Sequence, residues 1–438
     1  MQDELTQSVT GVADGKPSEA KFGTLGEFLR QRPTLNQMNL IFSGVLLGWA
    51  GVVGSAVSVL FIGAVLLAFL RLWQGKIVLP ADRGIRAIAL AFAFYIGADA
   101  ISGLVNNDGW VTWREVIEEL PFLGFPFVYA RLSLSRRQDV LEAVERGAIS
   151  GAFVMLAVTS AELTFTHHNR AEGLAGNPGV LAVISSLVYA SCLLAATRRE
   201  GRGKWTALSA ALCAAATILL TGMRALWPFL LIAPAIPILI LRPTLNWRAI
   251  GRTALIAALP LLAAVYLTHG MVERRMHALV VDVGKAEAGN YDDSIGKRLV
   301  MWKNGLNKAI ERPLLGSGPA SAKEQNSQSM GYSHYHNFLL NSMIRSGIVG
   351  VLAILGLFVV PLSVLIRRSR DDVALAGLSL LVMMQIAFLL SGSVGIMLGH
   401  DIHDTLFIYG TIVASFLVAG KQTIPPVGTA GNPSASAA

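Results

Sequence analysis

The 438-residue chain is 53% hydrophobic and only 15% charged, with a mean hydropathy of +0.55. A water-facing globular surface carries roughly 25% charged residues, so a soluble protein is excluded; collagen-like, disordered and coiled-coil chains are excluded as well. The net charge of +8 is read by position, because in a membrane protein Lys and Arg report topology before they report partners, and nothing in their distribution calls for nucleic acid.

In chain order, residues 1–36 are polar and mixed in charge and predict a cytoplasmic N-terminal tail without a cleavable signal. Asn39 to Leu70 holds no charged residue, too long for one crossing of about 20 residues, and predicts two short spans, 39–53 and 55–71, turning near Gly51 to Ser55. Arg30 and Arg32 before it and Arg71, Lys76 and Arg83 after it place both flanks in the cytoplasm. Further runs predict spans over 85–105, 116–129, 147–165 and 180–196, a hairpin over 205–241 whose apex is TGMRALWP, and a ninth span over 253–267. Spans over 347–366, 373–391 and 405–419 close the chain. The expectation is an all-α polytopic membrane protein of about twelve transmembrane helices. Its parts are a tail (1–36), helices 1–9 (37–268), one large periplasmic loop containing helices (269–346), helices 10–12 (347–420) and a disordered cytoplasmic tail (421–438). Cys192 and Cys213 lie inside apolar runs and offer neither a disulfide framework nor a Cys-x-x-Cys metal site.

On this topology all the histidines, 167, 168, 269, 277, 334, 336, 400 and 403, fall on the extracytoplasmic side. Arg224 stands in an otherwise apolar stretch, where an arginine costs about 2.5–3.5 kcal/mol at mid-bilayer. It either snorkels at a hairpin apex or faces an anion from a cavity floor. The basic loop 269–346, with Arg274, Arg275 and Arg298 among its cations, serves anionic headgroups or a phosphate-bearing substrate. Arg170 sits among turn formers in NRAEGLAGNPG. Asp99, Glu118, Glu119 and Glu162 read as partners of arginines that hold helices together rather than as catalysts. His336 and Asn337 stand where a polar loop becomes an apolar helix. There a neutral imidazole, with an unperturbed pKa near 6.5, suits a general base, and Asn337 either caps the helix or orients substrate. His334 and His336 lack neighbours at metal-ligand spacing, so no metal or other cofactor is expected.

The run IGKRLVMWKNGLNKAIERPLLGSGPAS followed by HYHNFLLNSMIRSGIVG resembles the signature region of the O-antigen ligase and polymerase superfamily of bacterial membrane glycosyltransferases. The matching elements are Arg298 and Trp302, the turn Pro313 to Gly318, His336 to Leu340, and Gly347 to Gly350. RAEGLAGNPGVLA and TGMRALWP resemble two upstream elements, the latter departing in Met223 and Ala225 where Ser and Gly are expected. The hydropathy plan is most similar to the ligase branch. The resemblance implies a metal-independent, inverting transfer of O-antigen glycan from an undecaprenyl pyrophosphate donor to a lipid A-core acceptor, at the periplasmic face of the bacterial inner membrane among its lipids. His336 would be the base, with Arg298 and Arg224 as catalytic cations and Arg170, Asn177, Asn337, Arg345 and Trp302 as substrate contacts. A polymerase or protein-glycosylating relative using the same donor is the alternative within the superfamily. A twelve-span transporter is the rival outside it, disfavoured because the polar residues gather on one face and in one loop.

Overall fold

The computed structural model describes residues 34–106, 109–166, 168–241, 261–291, 294–320, 334–395 and 397–420. Residues 1–33 of the expected 1–36 tail, the tail over 421–438 and most of the ninth span lie outside these residues, and Leu35 and Asn36 already belong to the first helix. The described chain is helical, without strands, and nine of its helices are long and apolar enough to cross a membrane.

Helix α1 (Leu35–Gly48) starts on a capping box, in which Thr34 Oγ1 accepts from the Gln37 N–H and the Gln37 side chain accepts from the Thr34 N–H. After Trp49 the short α2 (Ala50–Val53) completes the first expected crossing, and α3 (Ala56–Trp73) makes the second. Gly54, at φ 62°, takes the turn between them, inside the Gly51–Ser55 window expected from hydropathy. Helix α4 (Arg83–Asn106) matches the third run. The fourth, expected as one span over 116–129, is broken instead. Helix α5 (Trp110–Glu118), a 3₁₀ turn (Leu120–Gly124) and α6 (Phe125–Leu132) replace it, because Pro121 and Pro126 sit at the first turns of the second and third pieces and cannot continue a helix from within.

Helix α7 (Arg137–Thr166) is longer than its apolar run, and α8 (Pro178–Arg198) and α9 (Gly201–Leu220) follow. The second arm of the next hairpin starts with a 3₁₀ turn (Arg224–Leu226) and continues as α10 (Trp227–Ile232) and α11 (Ala235–Leu241), segmented around Pro228 and Pro234. The polar segment contains α12 (His269–Glu287) and α13 (Ser294–Glu311). Helices α14 (Phe338–Ile366), α15 (Asp372–Gly392) and α16 (Asp401–Ala419) complete the bundle.

Between apolar helices in lipid, burial of oily surface supplies no net drive, so close backbone approach carries the packing. Gly44 and Gly48 on α1 face Gly147 and Gly151 on α7, two small-xxx-small pairs in which an added Cβ would strike the opposite backbone. Helices α8 and α16 are each buried over 94% of their apolar stretch and form the centre, whereas α3 is buried over only 22% and lies at the lipid edge. Several polar side chains inside the bundle are paired: Asn39 Nδ2 donates to the Arg131 carbonyl (3.0 Å), Arg131 Nε donates to Asn39 Oδ1 (2.6 Å), and Ser43 shares a 2.8 Å hydrogen bond with Tyr409. At one end, ion pairs Arg137–Asp371 (2.8 Å), Arg198–Glu145 (3.0 Å) and Arg199–Glu145 (3.0 Å) tie the interhelical loops. The other end carries the site.

Candidate active site

The turn Thr221–Met223 at the end of α9 gathers cations. Gly222 takes φ 62°, which turns consecutive carbonyls outward. Arg170 Nε donates to the Thr221 carbonyl (2.7 Å) and Arg275 Nε to the Gly222 carbonyl (3.1 Å), while Arg224 Nη1 donates to the Arg275 carbonyl (3.0 Å). Arg224 also lies 3.6 Å from Asp282 on α12. Arg298 on α13 donates to Ser294 Oγ (3.1 Å). All four guanidiniums line one cavity of about 570 Å³, together with Asn177, His334, His336 and His403, and among the described residues no carboxylate lines it. Like charges held this close in a partly dry site strain one another. Burial, and after it Arg275, lowers the Arg170 guanidinium to about 10, and burial and Arg224 lower Arg275. An anion placed among them would relieve that repulsion.

Arg224 therefore occupies both positions that its sequence context allowed: it is at the hairpin apex and it lines the cavity. Arg275, which sequence reasoning left among the loop cations, belongs to the same cluster. Asn177 caps α8, its Oδ1 accepting from the Gly179 N–H (2.8 Å) and the Val180 N–H (3.4 Å), so the positive end of a central helix opens onto the cavity. His403, 1% exposed and packed edge-on against Phe388, was not foreseen as a site residue.

The histidines come from the other side. His336 is the one non-glycine residue at positive φ (50°) among the described residues, a backbone state that surrounding structure must impose. Asn337 begins α14 and its Oδ1 accepts from the Leu340 N–H (3.0 Å), which is the capping role. Trp302 seats the loop, its indole N–H donating to the Tyr335 carbonyl (3.0 Å) between the two histidines. The His334 and His336 rings lie 4.2 Å apart. Burial and Arg298 push His334 down to about 4, and burial, His334 and Arg298 push His336 down to about 4. The expected value near 6.5 is thus displaced by partial burial beside a cation.

Arg345, expected to touch substrate, is spanned by carboxylates: it forms a short ion pair with Asp99 and another with Glu119 (2.6 Å), and lies 3.8 Å from Glu115. Asp99 and Glu119 so serve as the helix-holding partners that the sequence suggested. Among the described residues Glu162 does not reach an arginine; it accepts from the Glu172 N–H (3.1 Å) and the Gly173 N–H (2.7 Å) and pins the loop that carries Arg170. The same region explains the glycine-rich motif. Helix α14 kinks at Ser346 and Gly347 (φ 62°), and the turn Pro313 to Gly318 fills the kink, with the Ser317 N–H donating to the Ile344 carbonyl (2.7 Å) and the Ile348 N–H to the Pro313 carbonyl (2.8 Å). Ser102 on α4 donates to the Leu315 carbonyl (2.6 Å). Among the described residues no group of three or more His, Cys, Asp or Glu is arranged to hold a metal ion; Asp292 and Asp293 lie outside them.

Fold and cavity together define a polytopic membrane protein with an arginine-lined, imidazole-bearing cavity at one end of its bundle. Residues 209–355 match the O-antigen ligase family, which supports a membrane enzyme of the glycosyl-transferring ligase and polymerase type. An uncharacterized protein of Haemophilus influenzae is 22% identical over 299 residues, covering 65% of this chain and 73% of that relative. The matched segment holds Arg224, Arg275, Arg298 and both loop histidines, whereas Arg170, Asn177 and His403 reach the cavity from outside it.

Proposed function

We propose that this chain transfers a glycan from undecaprenyl pyrophosphate to the lipid A-core oligosaccharide at the periplasmic face of the inner membrane, inverting the anomeric centre without a metal. The observation that carries this reading is the cavity, without a carboxylate among the described residues, in which four arginines stand beside two loop histidines. The acceptor hydroxyl attacks the anomeric carbon and its proton passes to a nitrogen of His336. The carbon–oxygen bond to pyrophosphate breaks on the opposite face, and the pyrophosphate keeps the bonding pair. Arg298, Arg224, Arg170 and Arg275 neutralise it as it leaves, the task a divalent ion performs in nucleotide-sugar transferases.

The test is purified full-length protein with undecaprenyl-pyrophosphate glycan and lipid A-core in EDTA, with the product's anomeric configuration read by NMR. Transfer with inversion is expected. Retention, or activity lost in chelator and restored by magnesium, would overturn the mechanism; transfer only onto a second donor glycan or onto a protein would overturn the acceptor.

A further inference from the structure

The arginine cavity has an oppositely charged neighbour. A second cavity of about 390 Å³ is lined by Glu115, Glu118, Glu119, Asp401 and Asp404, with Arg345 its lining guanidinium. That volume falls in the range of small-ligand pockets. His334 lines both cavities. A small space of about 30 Å³ is lined by His334, His336, Asn341 and Arg345, so it shares His334 with both cavities.

Arg345 is already engaged by Asp99 and Glu119, Glu118 pairs with Arg114, and His400 stands 3.0 Å from Asp401, so the surplus of carboxylate over cation remains. A second feature points to an occupant. Thr405, only 3% exposed, lines the cavity, and its hydroxyl has no hydrogen-bond partner among the described residues. A hydroxyl that an otherwise buried residue turns to a cavity can take a polar partner there.

Resting on the donor assignment above, we infer that this acidic cavity receives the acceptor sugar, and that it selects a neutral or amino-bearing sugar over one carrying carboxylate or phosphate near the reacting hydroxyl. Carboxylates accept hydrogen bonds from clustered sugar hydroxyls and ammonium groups and, where ionised, repel anions. The charge division assigns the substrates to their sides. Pyrophosphate is attracted to the arginines and repelled by the acids, and the acceptor enters opposite to it with its hydroxyl brought to the histidines. Such an approach is what displacement with inversion requires.

Binding is measured without donor, by titrating synthetic glycolipids that share one lipid anchor and differ only in the terminal sugar: glucosamine, glucose or glucuronic acid. Glucosamine and glucose are expected to bind at least about tenfold more tightly than glucuronic acid, one charge-assisted contact being worth roughly that factor. In the double variant Glu118→Gln, Asp401→Asn that gap should narrow to about threefold or less, with donor affinity unchanged. Thr405→Val, nearly isosteric, should weaken glucose binding about threefold or more while leaving thermal stability within a degree or two. Equal affinity of the wild type for all three sugars would overturn the inference, as would an unchanged gap in the double variant or a change confined to donor affinity. Transfer assayed in parallel separates the two readings: normal sugar discrimination without transfer defeats the reaction, and transfer without discrimination defeats the acidic subsite.

Discussion

His336 combines a left-handed backbone, a half-buried imidazole and a cation beside it, and its pH response follows. Only the neutral ring can take the acceptor's proton, so activity is lost as pH falls through the folded-state pKa. With that value lowered to about 4, kcat/KM for donor should be flat from pH 8 to pH 5 and decline only toward pH 4. Bound pyrophosphate offsets the Arg298 charge and raises the ring, so kcat should begin to fall at a higher pH than kcat/KM. A break in kcat/KM near 6.5 would mean that the ring is solvated in the free enzyme. His336→Ala should cost about 10²- to 10⁴-fold in kcat, the usual contribution of a general base, and His336→Gln should not restore it. If Gln works as well as His, the residue only seats the loop.

The arginines are separable by chemistry. Arg298→Lys keeps the charge and loses the planar fork, and should cost about 2 kcal/mol of transition-state stabilisation if it holds phosphate bidentately. Arg275→Ala removes a cation that sequence context did not single out and should raise the donor KM about tenfold; an unchanged KM would return Arg275 to the role of a loop cation.

Among the elements, the kink of α14 is the part most sensitive to volume. Gly347 sits at φ 62°, and a Cβ there would run into the backbone of Leu314 and Leu315. Gly347→Ala should therefore destabilise by about 1–3 kcal/mol and shift the Pro313 to Gly318 turn, whereas Gly63→Ala, in open space on α3, should be neutral or slightly stabilising. Thermal unfolding of both in the same detergent decides it; equal midpoints would show that the turn yields. The two halves of this device were visible in the sequence as separate motifs. Their contact was not, because it joins residues of the loop to a helix kink through backbone hydrogen bonds, which carry no side-chain signature.

For the molecule as a whole, the proposed topology puts α12 and α13 outside the cytoplasm and the α8–α9 connection inside it. In a chain freed of Cys192 and Cys213, a cysteine replacing exposed Lys303 should react with an impermeant thiol reagent in intact cells, and one replacing Gly201 should not. Reaction at both would overturn the span count.

Most of the scaffold was legible in one dimension. Runs of uncharged residues set the spans, because bilayer thickness dictates helix length and lipid tolerates no unpaired backbone. Prolines inside a run were a weaker guide, and the run over 116–129 was misjudged because hydropathy does not register a missing N–H. At the site, Arg298, His336 and the PLLGSG turn were readable from their motif. The clustering of Arg170, Arg224 and Arg275 around one turn depended on which carbonyls Gly222 turns outward, and His403 and the acid-lined cavity depended on α16 standing at the bundle's centre. Those are distances between residues far apart in the chain. Hydrophobic period and charge placement determine which segments enter the membrane, but only the packing of those segments decides which charges face one another.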